Sequence, residues 1–352
     1  MARPGETPHI PPLLLKVIEG SWLAAAALVP LAILPENTIL GSLQMPKVFM
    51  LRSIAVLMTI LVAAEWAIRD PSRGALNQKA ILEVLKRPVI LAAVAVAAAN
   101  LIAWAFSPVK VVSAAGVDAG MDSYGLFSLA SYLVVFAVVA THLRTRAQVE
   151  RLVWVLAATS MLLGIYGVGQ HFGIDWLVDD PKPENRIALT MGNAIFGAAW
   201  MLMVVPLTLA LWQSKRDLMS VFTHIWIGAV LVSLPMTAIM FSLSRGPWIG
   251  FALSLLVFLV SVAWVFGARA VIRPASSIAV AAAITGLILL LPVSGTPQET
   301  TGVTERFITV GTGFTPTDGL SSRYQIWRTA GSVYLNVPWV DTERFTELPE
   351  LG

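Results

Sequence analysis

The feature that most constrains this chain is a succession of nine apolar runs, each close to the length an α-helix needs to cross a hydrocarbon layer. They lie at about 13–34, 48–68, 89–106, 126–142, 152–170, 193–212, 222–243, 247–266 and 276–291. Inside a bilayer no water satisfies backbone N–H and C=O groups, so consecutive spans of this kind must satisfy them internally, as helices. The expected fold is therefore all-α: a polytopic transmembrane bundle of about nine spans over residues 1–291. A polar extracytoplasmic segment over 292–352 carries one amphipathic helix. Charged residues make up only 13% of the 352, about half the share of an ordinary soluble domain. The first run has the positive flank of a signal peptide, but it heads a chain full of further spans and reads as an anchor.

Orientation follows from where the basic residues fall. Arg3 and Lys16, Arg69 to Arg87, Arg144 to Arg151, Lys215 with Arg216, and Arg269 with Arg273 occupy alternate connections. Those connections are cytoplasmic by the positive-inside bias, which puts the N-terminus inside and the C-terminal segment outside the cytoplasmic membrane. The opposite connections carry few cations, among them Arg186 and Arg245, and hold Asp118, Asp122, Asp175, Asp179, Asp180 and Glu184. Trp66, Trp104, Trp154, Trp212, Trp226 and Trp264 fall near span ends, where an interfacial aromatic belt is expected.

Within the spans, Glu19 lies three residues from Lys16 and is expected to pair with it. Asn100 and His224 are expected to hydrogen-bond across helices as packing devices. Arg52 and Glu65, near opposite ends of the second run, are expected to reach opposite interfaces, and Arg52 shares the outer level with Arg245. With no cysteine and four scattered histidines, the chain offers no thiol chemistry and no histidine spacing typical of a metal site.

Three stretches carry the arginines that bear on function. In FSLSRGPWIG, residues 241–250, a Ser/Gly/Pro break puts Arg245 at a tight turn between two helices. Either Arg245 snorkels to cap that turn, or it joins the following helix N-terminus in holding a phosphate-like anion. Arg186 precedes a Gly192-Asn193 break. It either pairs with Glu184 or Asp180 or faces the small residues that open the next helix. In SSRYQIWRTAGSVYL, Tyr324, Ile326, Trp327, Ala330 and Val333 face away from Arg323, Arg328 and Thr329, the pattern of an amphipathic helix on a membrane surface.

An arginine before a GN helix start, an SRG turn between spans and an S-R-x-x-x-W helix after the next span resemble the O-antigen ligase and polymerase family of membrane glycosyltransferases. GIYGVGQHFGIDW, ahead of the first arginine, looks like that family's span-to-loop junction, and the resemblance covers about Tyr124 to Trp339. The resemblance implies transfer of a glycan from an undecaprenyl diphosphate carrier to an acceptor glycan or lipid at the outer face. It implies no metal, no cofactor and no nucleic-acid partner. Carried over by position, the diphosphate-binding residues are Arg186, Arg245 and Arg323, with Arg52 a secondary candidate. The family's general base is a histidine late in a large outer loop. The tail here has none, so the chain reads as a truncated member that binds its carrier without turning it over. A transporter or flippase of lipid-linked sugars and a non-catalytic membrane scaffold are the alternatives; inverted repeats, the mark of many transporters, are not evident.

Overall fold

A computed structural model describes residues 11–34, 43–68, 86–116, 125–174 and 187–291. Among them are ten α-helices: α1 Pro12–Leu31, α2 Met45–Ile68, α3 Pro88–Phe106, α4 Lys110–Ala115, α5 Leu126–His142, α6 Arg146–His171, α7 Ala194–Gln213, α8 Val221–Phe241, α9 Arg245–Phe266 and α10 Ile272–Leu289. No strand occurs among the described residues. Eight of the helices are long and apolar enough to cross a membrane, and α5 is a shorter apolar helix of 17 residues. Each of the nine apolar runs is thus a helix. The chain divides into two units, Met1–Glu299 and Thr300–Gly352; the second, with the amphipathic segment and Arg323, lies outside the described residues.

The most buried helices are α6, α7 and α8, and α8 packs against α6, α7 and α10. In a membrane, lipid is as apolar as leucine, so close approach of backbones rather than water exclusion holds helices together. Gly164 of α6 supplies that approach: a Cβ there would stand 2.9 Å from the backbone carbon of Leu234 on α8. Gly228 of α8 likewise makes room for Trp212 and Ser277. A second cluster, Ile18, Trp22, Ala25, Ile54, Met58 and Val138, joins α1, α2 and α5. Helix α3 has no buried residue, and Asn100 on it donates to the carbonyl of Val96 in its own helix at 2.9 Å, not across to a neighbour as expected.

The polar groups of the spans tie helices together at both ends. Arg52 Nη2 donates to Ser128 Oγ at 2.8 Å and to the Ala115 carbonyl at 3.3 Å, while His142 Nε2 meets Glu65 Oε2 at 2.8 Å. Neither Arg52 nor Glu65 reaches an interface alone; Glu65 has a side chain only 2% exposed. These two ties run from the start and end of α5 to the start and end of α2. The helices are therefore parallel, and at about 1.5 Å per residue each covers about 20 Å between its two ties.

Basic residues gather at one end. Arg151 Nε donates to Glu19 Oε1 at 2.5 Å, so the partner of Glu19 is on α6 rather than at Lys16. Lys215 and Arg146 both pair with Glu150, at 2.6 and 3.0 Å, and Arg273 Nη1 donates to the Arg216 carbonyl at 2.6 Å. Arg146 and Arg151 belong to α6 because Thr145 and Gln148 form a capping box ahead of the apolar stretch. At the same end, His224 and Trp212 exchange hydrogen bonds with each other's carbonyls and stack at 5.0 Å. His224 thus crosslinks α7 and α8 as expected, while Trp212 is an interior residue and not part of a belt. Trp66, Trp226 and Trp264 are exposed.

Candidate functional site

At the opposite end, the α8–α9 turn is built by its own side chains. Helix α8 stops after Phe241, where Ser242 N and Leu243 N still reach back to Ala238 and Met240 carbonyls at 3.0 and 3.1 Å. Leu243 then takes φ 48°, a left-handed conformation that costs a side-chain-bearing residue about 1–3 kcal/mol. Gly246, the glycine of the Ser/Gly/Pro break and the residue freest to take such a dihedral, is instead helical and has nothing within 4 Å of a Cβ position. Ser242 Oγ donates to the Ile239 carbonyl at 2.7 Å, Ser244 Oγ to the Ser242 carbonyl at 3.0 Å, and Trp248 Nε1 to the Ile239 carbonyl at 2.9 Å. The turn is pinned from both sides, which lets a leucine persist where glycine is usual.

Arg245 is the first residue of α9, with Pro247 in its first turn. It is half-buried, and its Nε is buried with no hydrogen-bond partner. Among the described residues no carboxylate pairs with it. The helix macrodipole is positive at this end, so a cation here is disfavoured by about 0.3–1 kcal/mol unless an anion stands in front of both. The guanidinium fork and the free N–H groups of the first turn face the same charge requirement and share one solution.

The segment that follows Arg186 is strapped onto this turn. Ile187 N donates to the carbonyl of Phe241 at 3.4 Å, Leu189 N to Gln170 Oε1 at 2.9 Å, and Thr190 Oγ1 to the Pro30 carbonyl at 2.6 Å. Leu189, at φ 53°, drives its side chain between Gly167 of α6 and Gly197 of α7, where a Cβ on either glycine would come within 2.5 Å of it. The small residues that open α7 thus admit a neighbour from the chain's own loop. The Gly192-Asn193 break is explained the same way: Gly192 has φ 70° and Asn193 Oδ1 accepts from Ile195 N at 2.9 Å to cap α7. Beside Phe241, the last residue of α6, His171, stacks on the phenyl ring at 3.5 Å, with Phe172 edge-on to both.

Of the sequence-derived candidates, Arg245 lies at this turn, while Arg186 and Arg323 lie outside the described residues. Arg52 is committed to Ser128 and Ala115 through Nη2, although its Nε is buried without a partner. Lys47, at the same end, donates to the Ala32 carbonyl at 2.5 Å and closes the C-terminus of α1. His171, Gln170, Leu189 and Leu243 carry no motif that marks them in the sequence. The first two fall within GIYGVGQHFGIDW, yet nothing in their spacing specifies a stack or a strap. Among the described residues no three His, Asp or Glu side chains gather where a metal ion could sit. The chain matches no known family profile, no curated protein and no solved structure.

Proposed function

We propose that the protein is a polytopic membrane glycosyltransferase of the O-antigen ligase or polymerase kind, which holds an undecaprenyl-diphosphate-linked glycan at its Arg245 end. The observation that carries this reading is Arg245 itself: a half-buried guanidinium at a helix N-terminus, with Nε unsatisfied and no counter-charge among the described residues. A diphosphate in front of the turn would neutralise the Arg245 guanidinium and the helix dipole together.

In the reaction of that family, of which this chain is read as supplying the carrier-binding part, a hydroxyl of the acceptor attacks the anomeric carbon and the carbon–oxygen bond to the diphosphate breaks. The electron pair goes to the lipid diphosphate, and the hydroxyl proton passes to a general base. Guanidinium groups already in place stabilise the growing negative charge without reorganising. Arginine serves better than lysine because its fork meets two phosphate oxygens.

The same reading sets the topology. The basic end, with Arg146, Arg151, Lys215 and Arg216, is cytoplasmic by the positive-inside bias, and the Arg245 end faces outward. The parallel course of α2 and α5 supports a crossing by α5 as well, giving nine spans. Binding of the lipid diphosphate to the reconstituted full chain tests the site. Arg245→Ala is expected to weaken it by about 1.5–3 kcal/mol, the loss of a charge-assisted contact. Unchanged binding removes Arg245 from the site, and no binding by the unaltered chain ends the proposal.

A further inference from the structure

The basic end of the bundle contains a cavity of ≈ 320 Å³ that the glycan-carrier reading does not use. Its wall combines Gln213 from the end of α7, Arg216 and Asp217 from the short turn after it, Arg146 from the start of α6, and Phe258 and Phe266 from α9. With Glu150, which pairs with both Arg146 and Lys215, and Asp217 beside Arg216, three cations face two carboxylates around the cavity and leave it cationic. Arg216 is held by the Phe266 ring, with Cζ 5.6 Å from the centroid, and by Asp217 at 3.7 Å.

Gln213 makes the cavity more than a basic patch. It is 6% exposed, and its Nε2 donates to the Ala270 carbonyl at 3.2 Å, which fixes which end of the amide is oxygen. Its Oε1 is buried with no donor. A buried acceptor without a donor costs free energy, so the wall of this cavity asks for an O–H or N–H group. Oε1 meets a donor in the cavity only by a turn of the terminal amide, whose torsion is soft, and that turn draws on the Ala270 bond.

The apolar side of the wall identifies the source of such a group. Phe258, Val262 and Phe266 recur every fourth residue along one face of α9, and Phe266, at the end of this span, is exposed, so the apolar side of the wall opens where the helix leaves the hydrocarbon. A small soluble phosphate would leave that side wet. We propose that the cavity binds the headgroup of an anionic glycerophospholipid from the adjoining leaflet. Arg146 and Arg216 take the phosphate, a headgroup hydroxyl donates to Gln213 Oε1, and the acyl chains lie along Phe258 and Phe266. A choline headgroup has no donor to offer and is discriminated against. Arg245 lies at the other end of the same 22-residue helix, about 33 Å away at 1.5 Å per residue, so this site stands independently of the carrier site.

The test is native mass spectrometry of the delipidated full chain, titrated with phosphatidylglycerol, phosphatidylcholine or glycerol 3-phosphate. Phosphatidylglycerol is expected to be retained about ten-fold better than phosphatidylcholine: both carry the phosphate, but only the glycerol headgroup has a hydroxyl for Gln213, and choline adds a cation beside two arginines. Glycerol 3-phosphate is expected neither to bind nor to displace it. The double variant R146Q/R216Q should lose the preference, and Q213L should lower it with Arg146 and Arg216 unchanged. Arg146 is 79% exposed, so R146Q alone keeps the fold and tests the phosphate contact if the double variant melts early. Equal retention of the two lipids overturns the proposal, as does a preference that survives R146Q. Displacement by glycerol 3-phosphate assigns the cavity to a soluble phosphate and overturns the lipid source.

Discussion

Arg52 and Arg245 are both arginines at the same end of the bundle, each with a buried Nε that lacks a partner, yet their surroundings differ, and the proposed function gives them opposite tasks. Arg52 spends Nη2 on Ser128 and the Ala115 carbonyl, which ties α2 to the start of α5. Arg52→Ala removes a charged hydrogen bond from a buried hydroxyl and is expected to cost about 1.5–3 kcal/mol of stability, read as a lower melting temperature, with affinity for the lipid diphosphate retained. Arg245→Ala should do the reverse. It removes a cation from the positive end of a helix, so the melting temperature holds or rises slightly while affinity falls. Arg245→Lys should recover only part of the affinity, because a point charge replaces a two-pronged donor. Thermal melting and carrier binding measured on the same preparations separate the two roles; equal effects of both alanine variants on both readouts would undo the distinction.

Among the helices, contact is made through glycines whose missing side chains are filled by a neighbour. Gly164→Ala sets a methyl group 2.9 Å from the Leu234 backbone, which has no side-chain freedom to yield. A loss of about 1–3 kcal/mol is expected from overpacking at the α6–α8 contact. Gly20 of α1 is the control, since nothing lies within 4 Å of its Cβ position and alanine there should gain about 0.5–1 kcal/mol through helix propensity. Reversible unfolding in mixed micelles gives both signs. If the two substitutions moved stability the same way, the contact at Gly164 would not be the one that matters. The strap over residues 187–193 works similarly: Leu189 fills the space left by Gly167 and Gly197, so Gly197→Ala is expected to loosen the strap and with it the turn at Phe241.

At the scale of the whole molecule, charge and crossing number must agree. Five of the helices, α6 to α10, separate Arg146 from the C-terminal segment, so reporters fused after Arg146 and after Gly319 are expected on opposite sides, cytoplasmic and extracytoplasmic respectively. The same side for both would break the parity on which the outward placement of Arg245 depends. Much of this was legible in the sequence. All nine apolar runs are helices, and the basic connections that are described gather at one end, because backbone satisfaction in lipid and the cost of moving charge through it act on each segment by itself. Capping chemistry was equally local, as Asn193 and Pro247 show. What the sequence could not decide was partnership. Glu19 takes Arg151 rather than Lys16, Asn100 turns back on its own helix, Trp212 goes inside to His224, and the strained position of the turn is Leu243 and not Gly246. Each of these depends on which helix faces which. That choice is made by the close approach of backbones at residues such as Gly164 and Gly228, far apart in the chain, and so only the tertiary structure settles it.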